Sequence, residues 1–350
     1  MASNTNFSIL DRHQHYHHRL HRSRMGIFAE PPLGNSTLPA QKKSQTHKNN
    51  TTMKKIWTLA FALVAATCLA NGAEYVISNT PVTPVREEPS QAAEQATQLL
   101  FGDLCEIVES KSGWTKIRAT KDGQVGWVTT SMMTAVSEED VRQLEENRKA
   151  NGEGVVAIPM TVATNKKTGE KLMLTIGTRL PNYKKGSFEV LGKQYKIDPK
   201  AVYTLTYKDE KVLVNGKEAT GEDMVRVAKQ LLNVSYLWGG KNMMGYDCSG
   251  FTQTVYSVFG IDILRNAREQ VTQGTEIKSL AEAQPGDLVF FDHADRNPNS
   301  TRITHVGMLI SQTEVIHCAG RVHVAKIEDM GIRLANGKLS HHLAKIKRFL

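Results

Sequence analysis

A thiol, two histidines and the stretches that hold them define the chemistry open to this 350-residue chain. Cys248 stands in residues 236–251, YLWGGKNMMGYDCSGF, directly after an aspartate and ahead of an apolar run ending at Gly260. That placement puts the sulfur where a loop turns into a helix. First-turn amides have no intrahelical partner and carry the positive end of the helix dipole, so a sulfur there is stabilised as the anion and stays accessible. A buried structural cysteine, the common fate of a free thiol, is the competing reading.

A thiol near neutral pH needs a base, and the same group must return a proton to a departing amine; histidine suits both tasks. Six of the twelve histidines precede residue 73, which leaves His293, His305, His317, His323, His341 and His342. His305 and His317 sit inside the apolar β-patterned runs ITHVGMLI and TEVIHCAG, where a polar side chain needs a reason. A satisfied core histidine would account for one of them, and less readily for two on consecutive strands. If those strands form a hairpin around residues 311–313, an odd number of loop residues puts both rings on one face as diagonal neighbours, whereas an even number separates them. The odd case is expected. His293, in a polar loop, is the rival base.

The elements that must position these groups are legible in outline. Thr220 as N-cap and Asp223 three residues on open a helix with Met224, Val227, Ala228 and Leu231 on its apolar face. The Cys248 helix follows, then PGDLVFF and the two histidine strands. A helix followed by antiparallel strands is the α+β arrangement of papain-like peptidases. Ahead of this part, residues 137–150 are highly charged, with a capping-box spacing from Ser137 to Asp140, and predict a connecting helix. Residues 151–218 carry short β-runs, VVAIPMTVAT, KLMLTIGTRL, SFEVLGKQYKI, AVYTLTY and KVLV, broken by turn residues.

Composition excludes more than it assigns. The formal net charge is +9, but residues 1–73 hold nine Lys and Arg against two acids, so the remainder carries only +2. A nucleic-acid partner is therefore not expected. Met53 begins MKKIWTLAFALVAATCLANGA, two lysines and a short apolar run ending in small residues, the layout of a secretory signal peptide cleaved near Gly72 or Ala73. Cys68 has a poor lipobox before it. Residues 1–52, with the His-rich RHQHYHHRLHR, lie upstream of what reads as the start, and a start codon placed too early accounts for them. Cys105, Cys248 and Cys318 remain after cleavage, an odd count that does not read as a disulfide framework. Cysteine and histidine spacings match no zinc site, and no cofactor or metal is expected.

Two resemblances sharpen this outline. Gly113-Trp114, Gly126-Trp127 and the upstream TQLLFGD resemble a bacterial SH3-like barrel, with both tryptophans expected to fill its core. YLWGG, YDCSGF, PGDLVFF, ITHVG and VIHCAG, in that order, resemble the NlpC family of cell-wall cysteine peptidases. The resemblance implies Cys248 as nucleophile, His305 as base and acid, and His317 as the residue that orients His305 and selects its tautomer. The Cys248 backbone N–H and the Tyr236 hydroxyl are the implied oxyanion donors.

The expected architecture is a multidomain chain of two small all-β SH3-like barrels, residues 74–135 and a divergent 151–218, joined by a linker helix at 136–150 and followed by an α+β papain-like peptidase domain at 219–350. Family members with barrels ahead of the catalytic domain resemble YkfC-type γ-D-glutamyl-L-diamino-acid endopeptidases. That implies hydrolysis of the link between D-glutamate and L-lysine or diaminopimelate in peptidoglycan stem peptides or muropeptides. A free N-terminal L-alanine would be gripped by acids at the barrel–catalytic interface, Asp247 on one side and Glu94 on the other. Ser249 and Arg265 are expected to bind the D-glutamate α-carboxylate, with Trp238 in the cleft wall. Ala267 departs from a family serine. The protein is expected to be exported, monomeric and without a membrane span after signal cleavage. The rival readings are an endopeptidase or amidase on intact wall, and a non-catalytic wall-binding protein.

Overall fold

A computed structural model describes residues 74–209, 211–292 and 301–350. The leader, the signal-like segment with Cys68, and His293 lie outside the described residues.

The first β-unit is a seven-stranded antiparallel sheet in the order Gln95–Leu100, Val82–Arg86, Val125–Thr129, Trp114–Ala119, Leu104–Lys111, Tyr75–Ser78, Met133–Val136. Turns at Ser112-Gly113 and Asp122-Gly123 close two of its hairpins, with Ser112, Gly113 and Gly123 all at positive φ. Its core is aliphatic: Val76, Val85, Leu99, Ile117, Val128 and Met133 pack around Cys105. The tryptophans do not fill that core as the sequence suggested. Trp127 is buried outside the aliphatic cluster, with the Lys116 ammonium 5.8 Å from its ring centre, and Trp114 is half-buried at a strand end. Small β-branched residues on the inward face leave no volume for two indoles.

The connecting helix, Glu138–Asn151, is held by a full capping box between Ser137 and Asp140, worth about 1 kcal/mol. The middle unit then splits what read as single β-runs. VVAIPMTVAT becomes Glu153–Val156 and Met160–Asn165, in different sheets, because Pro159 has no N–H to continue a ladder. KLMLTIGTRL likewise breaks at Gly177, φ 84°, into Lys171–Thr175 and Arg179–Leu180. The resulting four- and five-stranded sheets enclose Val156, Ala163, Leu174 and Leu180 with the stacked rings of Phe188 and Tyr195, centroids 5.0 Å apart. Ile77, Phe101 and Val136 of the first unit join the same cluster, so the two β-units share a core. Arg179, buried, bridges Glu153 at 2.7 Å and Asp262 of the following domain at 3.1 Å.

The last domain begins with the capped helix Gly221–Lys229, whose Met224, Val225, Val227 and Ala228 are buried. The helix Cys248–Val258 is buried at every residue and packs against the strand His305–Ser311. Around it runs a seven-stranded antiparallel sheet in the order Thr275–Ile277, Leu339–Arg348, Leu288–Asp292, His305–Ser311, Glu314–Ala319, Arg321–Glu328, Gly331–Arg333. The strand Gly331–Arg333 also pairs with Leu339–Arg348, which closes six of the strands on themselves. Alternation then sorts the residues: Leu288, Phe290, Val306, Met308 and Ile316 face the helices, while Val289, Phe291, Leu309, Val315 and Ile332 fill the enclosed side. No helix among the described residues is long and apolar enough to cross a membrane.

Candidate active site

Cys248 is the first residue of its helix, and the preceding Asp247 is the N-cap, with its Oδ1 accepting from the Gly250 N–H at 2.6 Å. The loop that brings the chain there is tied down on several sides. The Tyr236 N–H donates to the Gly320 carbonyl and the Leu237 N–H to the Tyr246 carbonyl. Gly239, φ 70°, lies so close to the first β-unit that a Cβ would meet the Gln95 carbonyl oxygen at 2.5 Å. Only glycine permits that approach.

Asp247 is the electrostatic hub. Its carboxylate accepts from Gly239 N, Gly250 N, Ser249 Oγ, and both Arg265 Nη1 (3.0 Å) and Nη2 (2.7 Å). Arg265 is 1% exposed. Its Nε donates to Thr97 Oγ1 at 2.6 Å and its Nη1 also to Ser249 Oγ at 3.0 Å. Burial by itself would lower the guanidinium pKa; the Asp247 charge outweighs this and raises it. A carboxylate has about four lone-pair sites, and those of Asp247, which also lines the cavity, are engaged within the protein. Arg265 gives all three of its nitrogens to protein partners.

The histidine strands meet the geometric test by an unexpected route. The turn has two residues, Gln312 and Thr313, an even number, yet a bulge between Leu309 and Ser311 restores the parity. His317 therefore pairs with Gly307 and stands diagonal to His305 on one face. His305 Nε2 lies 2.8 Å from His317 Nδ1. The Val306 amide, next to His305, bonds to the Cys248 sulfur, as does the Ser249 amide. When His305 donates its Nε2–H to His317, its Nδ1 keeps a lone pair that can accept a proton. His317 must then carry its own proton on Nε2, a buried atom without a hydrogen-bond partner among the described residues, at a cost of about 1–3 kcal/mol.

The pKa shifts run against the anionic sulfur expected of a helix start. Burial, then the Asp247 charge, push the Cys248 thiol up to about 12, despite the two amides and Arg265. Burial and the neighbouring imidazoles hold His305 and His317 well below 6.5. Both shifts favour the neutral forms, because desolvation at Cys248, 8% exposed, opposes the helix terminus.

A cavity of about 390 Å³ opens on Cys248, within the range of about 300–1,000 Å³ usual for small-molecule sites. The first β-unit contributes Glu87, Ala96 and Gln124; the last domain contributes Trp238, Asp247, Cys248, Ser249, Asn266, Ala267, Arg268 and Arg302–Thr304. Trp238 is 60% exposed and forms the rim of the wall, with its carbonyl held by Gln95. Tyr236 does not line the cavity, but its phenol pKa is raised by burial and by the Cys248 and Asp247 charges. Glu94 is absent from the lining, which includes Glu87; the Glu94 carbonyl accepts from the Glu87 N–H. Sequence reading missed Glu87, Arg268 and Arg302, which carry no local motif.

Comparison with known proteins agrees with this geometry. Residues 233–344 match the NlpC/P60 family, and residues 85–132 match the bacterial dipeptidyl-peptidase SH3 domain. The chain thus carries an NlpC/P60 domain with a bacterial dipeptidyl-peptidase SH3 domain ahead of it, and this pairing supports a hydrolase of the cysteine peptidase type. It is similar to a γ-D-glutamyl-L-lysine dipeptidyl-peptidase of Bacillus cereus, 27% identical over 65% of this chain and 68% of that protein. A protein of the same name from Bacillus subtilis is 26% identical over 63% of this chain and 71% of its own length. The crystal structure of an NlpC/P60 family protein from Bacillus cereus shares the fold, with TM-score 0.65 and 19% identity over 79% of this chain and 99% of that one.

Proposed function

We propose that the protein is a cysteine endopeptidase that hydrolyses the γ-D-glutamyl-L-diamino acid bond, to L-lysine or meso-diaminopimelate, of peptidoglycan stem peptides with a free N-terminal L-alanine. The observation that carries this reading is the composition of the Cys248 cavity. One wall comes from the SH3 domain, through Glu87, Ala96 and Gln124, so two domains meet around the thiol. A short peptide with charged ends suits such a two-domain cavity.

The charges match that substrate. Glu87 on the SH3 side presents a carboxylate to an ammonium, and Arg268 and Arg302 present guanidinium groups to the α-carboxylate that a γ-link leaves free. Cys248 attacks the γ-carbonyl as His305 takes its proton; the developing oxyanion is met by the Cys248 backbone N–H, with the Tyr236 hydroxyl beside it. His305 then returns the proton to the α-amine of the departing diamino acid, and water repeats the cycle on the thioester. His317 holds His305 in the Nε2–H tautomer throughout. The names of the two Bacillus relatives support the bond chosen. The middle unit, residues 151–218, is assigned as a second, divergent SH3-like barrel, and the signal-like residues 53–73 as an export signal.

Product analysis by mass spectrometry tests the reading. L-Ala-γ-D-Glu-L-Lys should yield L-Ala-D-Glu and lysine with the protein and nothing with Cys248→Ala. Cleavage at the L-Ala–D-Glu bond, or turnover by the alanine variant, would discard it.

A further inference from the structure

Strand pairing gathers more histidines around the proposed base than a triad needs. His317 pairs directly with His323, and His341 with Ile332, so all four rings, with His305, project to the enclosed side of the closed sheet. The His341 ring lies 4.6 Å from that of His305 and stands at 90° to that of His317, 5.6 Å away. One ligand atom from each of His305, His317 and His341 falls within 4.8 Å of the others. His341 is half-buried, whereas the other two are buried, so the cluster has a solvent-facing side.

We propose that this cluster is an inhibitory site for a divalent transition metal of the zinc type, which binds His305, His317 and His341 and thereby removes the catalytic base. Three imidazoles with an open fourth position form a donor set suited to zinc. With Zn–N bonds of about 2.0–2.1 Å, two nitrogens on one tetrahedral ion sit roughly 3.4 Å apart. His305 Nε2 and His317 Nδ1 are at 2.8 Å, a hydrogen-bond separation. For that pair, side-chain movement of about half an ångström exchanges the shared proton for the ion, with His341 closing in from within 4.8 Å, so hydrogen bond and metal exclude each other. The backbone is unaffected, since the ligands rise from strands fixed by their pairing. The three ligands are scattered over the sequence at 305, 317 and 341 and match no metal motif, which is why sequence spacing did not signal them.

This inference rests on His305 as base only for its inhibitory consequence; metal binding itself is independent of the substrate assigned above. Its test therefore reads binding directly. Co²⁺ is titrated into the full protein, Cys248→Ala, His341→Gln, His341→Phe and His342→Gln, and its visible absorption is followed. The expected result is a tetrahedral Co²⁺ spectrum without a sulfur charge-transfer band that persists in Cys248→Ala and His342→Gln. Affinity should fall at least about tenfold in both His341 variants, provided that their circular dichroism matches the parent. In parallel, Zn²⁺ should inhibit peptide cleavage reversibly, and the inhibiting concentration should rise by the same factor in the His341 variants, each measured against its own metal-free rate. Loss of the spectrum in Cys248→Ala would assign the metal to the thiol and overturn the proposal. So would equal affinity in parent and both His341 variants.

Discussion

Arg265 Nη2 donates to Asp247 Oδ2 at 2.7 Å while Arg265 Nε reaches back to Thr97 of the SH3 domain. This one side chain thus connects the N-cap of the Cys248 helix to the domain that walls the cavity. Replacement of Arg265 by Met leaves a buried carboxylate uncompensated, at an expected cost of about 3–5 kcal/mol. Adding Asp247→Asn should recover part of that loss, because the amide still caps the helix. Urea denaturation of the two variants checks this; equal loss in both would show that the charge is not the issue.

Glu87 and Glu94 bound the connection between the strands Val82–Arg86 and Gln95–Leu100, and of the two only Glu87 lines the cavity. Glu87→Gln should lower kcat/KM on a free-amine peptide by about tenfold, chiefly through KM, and leave an N-acetylated peptide unaffected. Glu94→Gln should change neither. Steady-state kinetics on the two peptides would reveal a reversed pattern if the barrel acid were Glu94.

His305 Nε2 and His317 Nδ1 lie 2.8 Å apart, the contact through which His317 is proposed to fix the His305 tautomer. His317→Ala should reduce kcat by about 10³-fold with little change in KM. His317→Asn retains an acceptor oxygen and should lose less. If both variants lost the same amount, the ring would be acting through packing alone.

Asp103 accepts from Lys121 Nζ at 2.6 Å and from the Leu100 N–H at 2.8 Å. Burial would raise its pKa, but Lys121, Lys241 and these hydrogen bonds hold it below the ordinary 3.8. A folded-state pKa below the unfolded one stabilises the fold above the unfolded value and ceases to do so as pH falls through the folded value. Asp103→Asn should therefore destabilise at neutral pH, and the gap between parent and variant should narrow from about pH 4 downward. Chemical denaturation across this range decides it; a gap independent of pH would assign the effect to lost packing.

Local signals were read correctly and long-range ones were not. The capping boxes Ser137–Asp140 and Thr220–Asp223 are written within four residues, and both form. Cys248, His305 and His317 stand out because polar or reactive groups interrupt apolar patterns. The shared face of the two histidines was anticipated for the wrong reason, since the bulge at Ile310, not the turn length, sets the parity. The bond from Arg265 to Thr97, 168 residues away, has no local signal in the sequence, because domain docking alone makes it. The breaks at Pro159 and Gly177 mark where strands change sheets, which period-2 patterning does not record. Desolvation of the Cys248 sulfur, which opposes the helix terminus, was not legible locally because it comes from complete burial of the helix.

The central claim is that a cysteine peptidase site carries an amine-binding wall. The most direct measurement compares kcat/KM for L-Ala-γ-D-Glu-L-Lys and its N-acetylated twin, with Cys248→Ala as the control. A preference of about a hundredfold or more for the free amine, with both activities abolished in Cys248→Ala, is the predicted result. Equal cleavage of the two peptides would contradict this account and place the protein among hydrolases of intact wall.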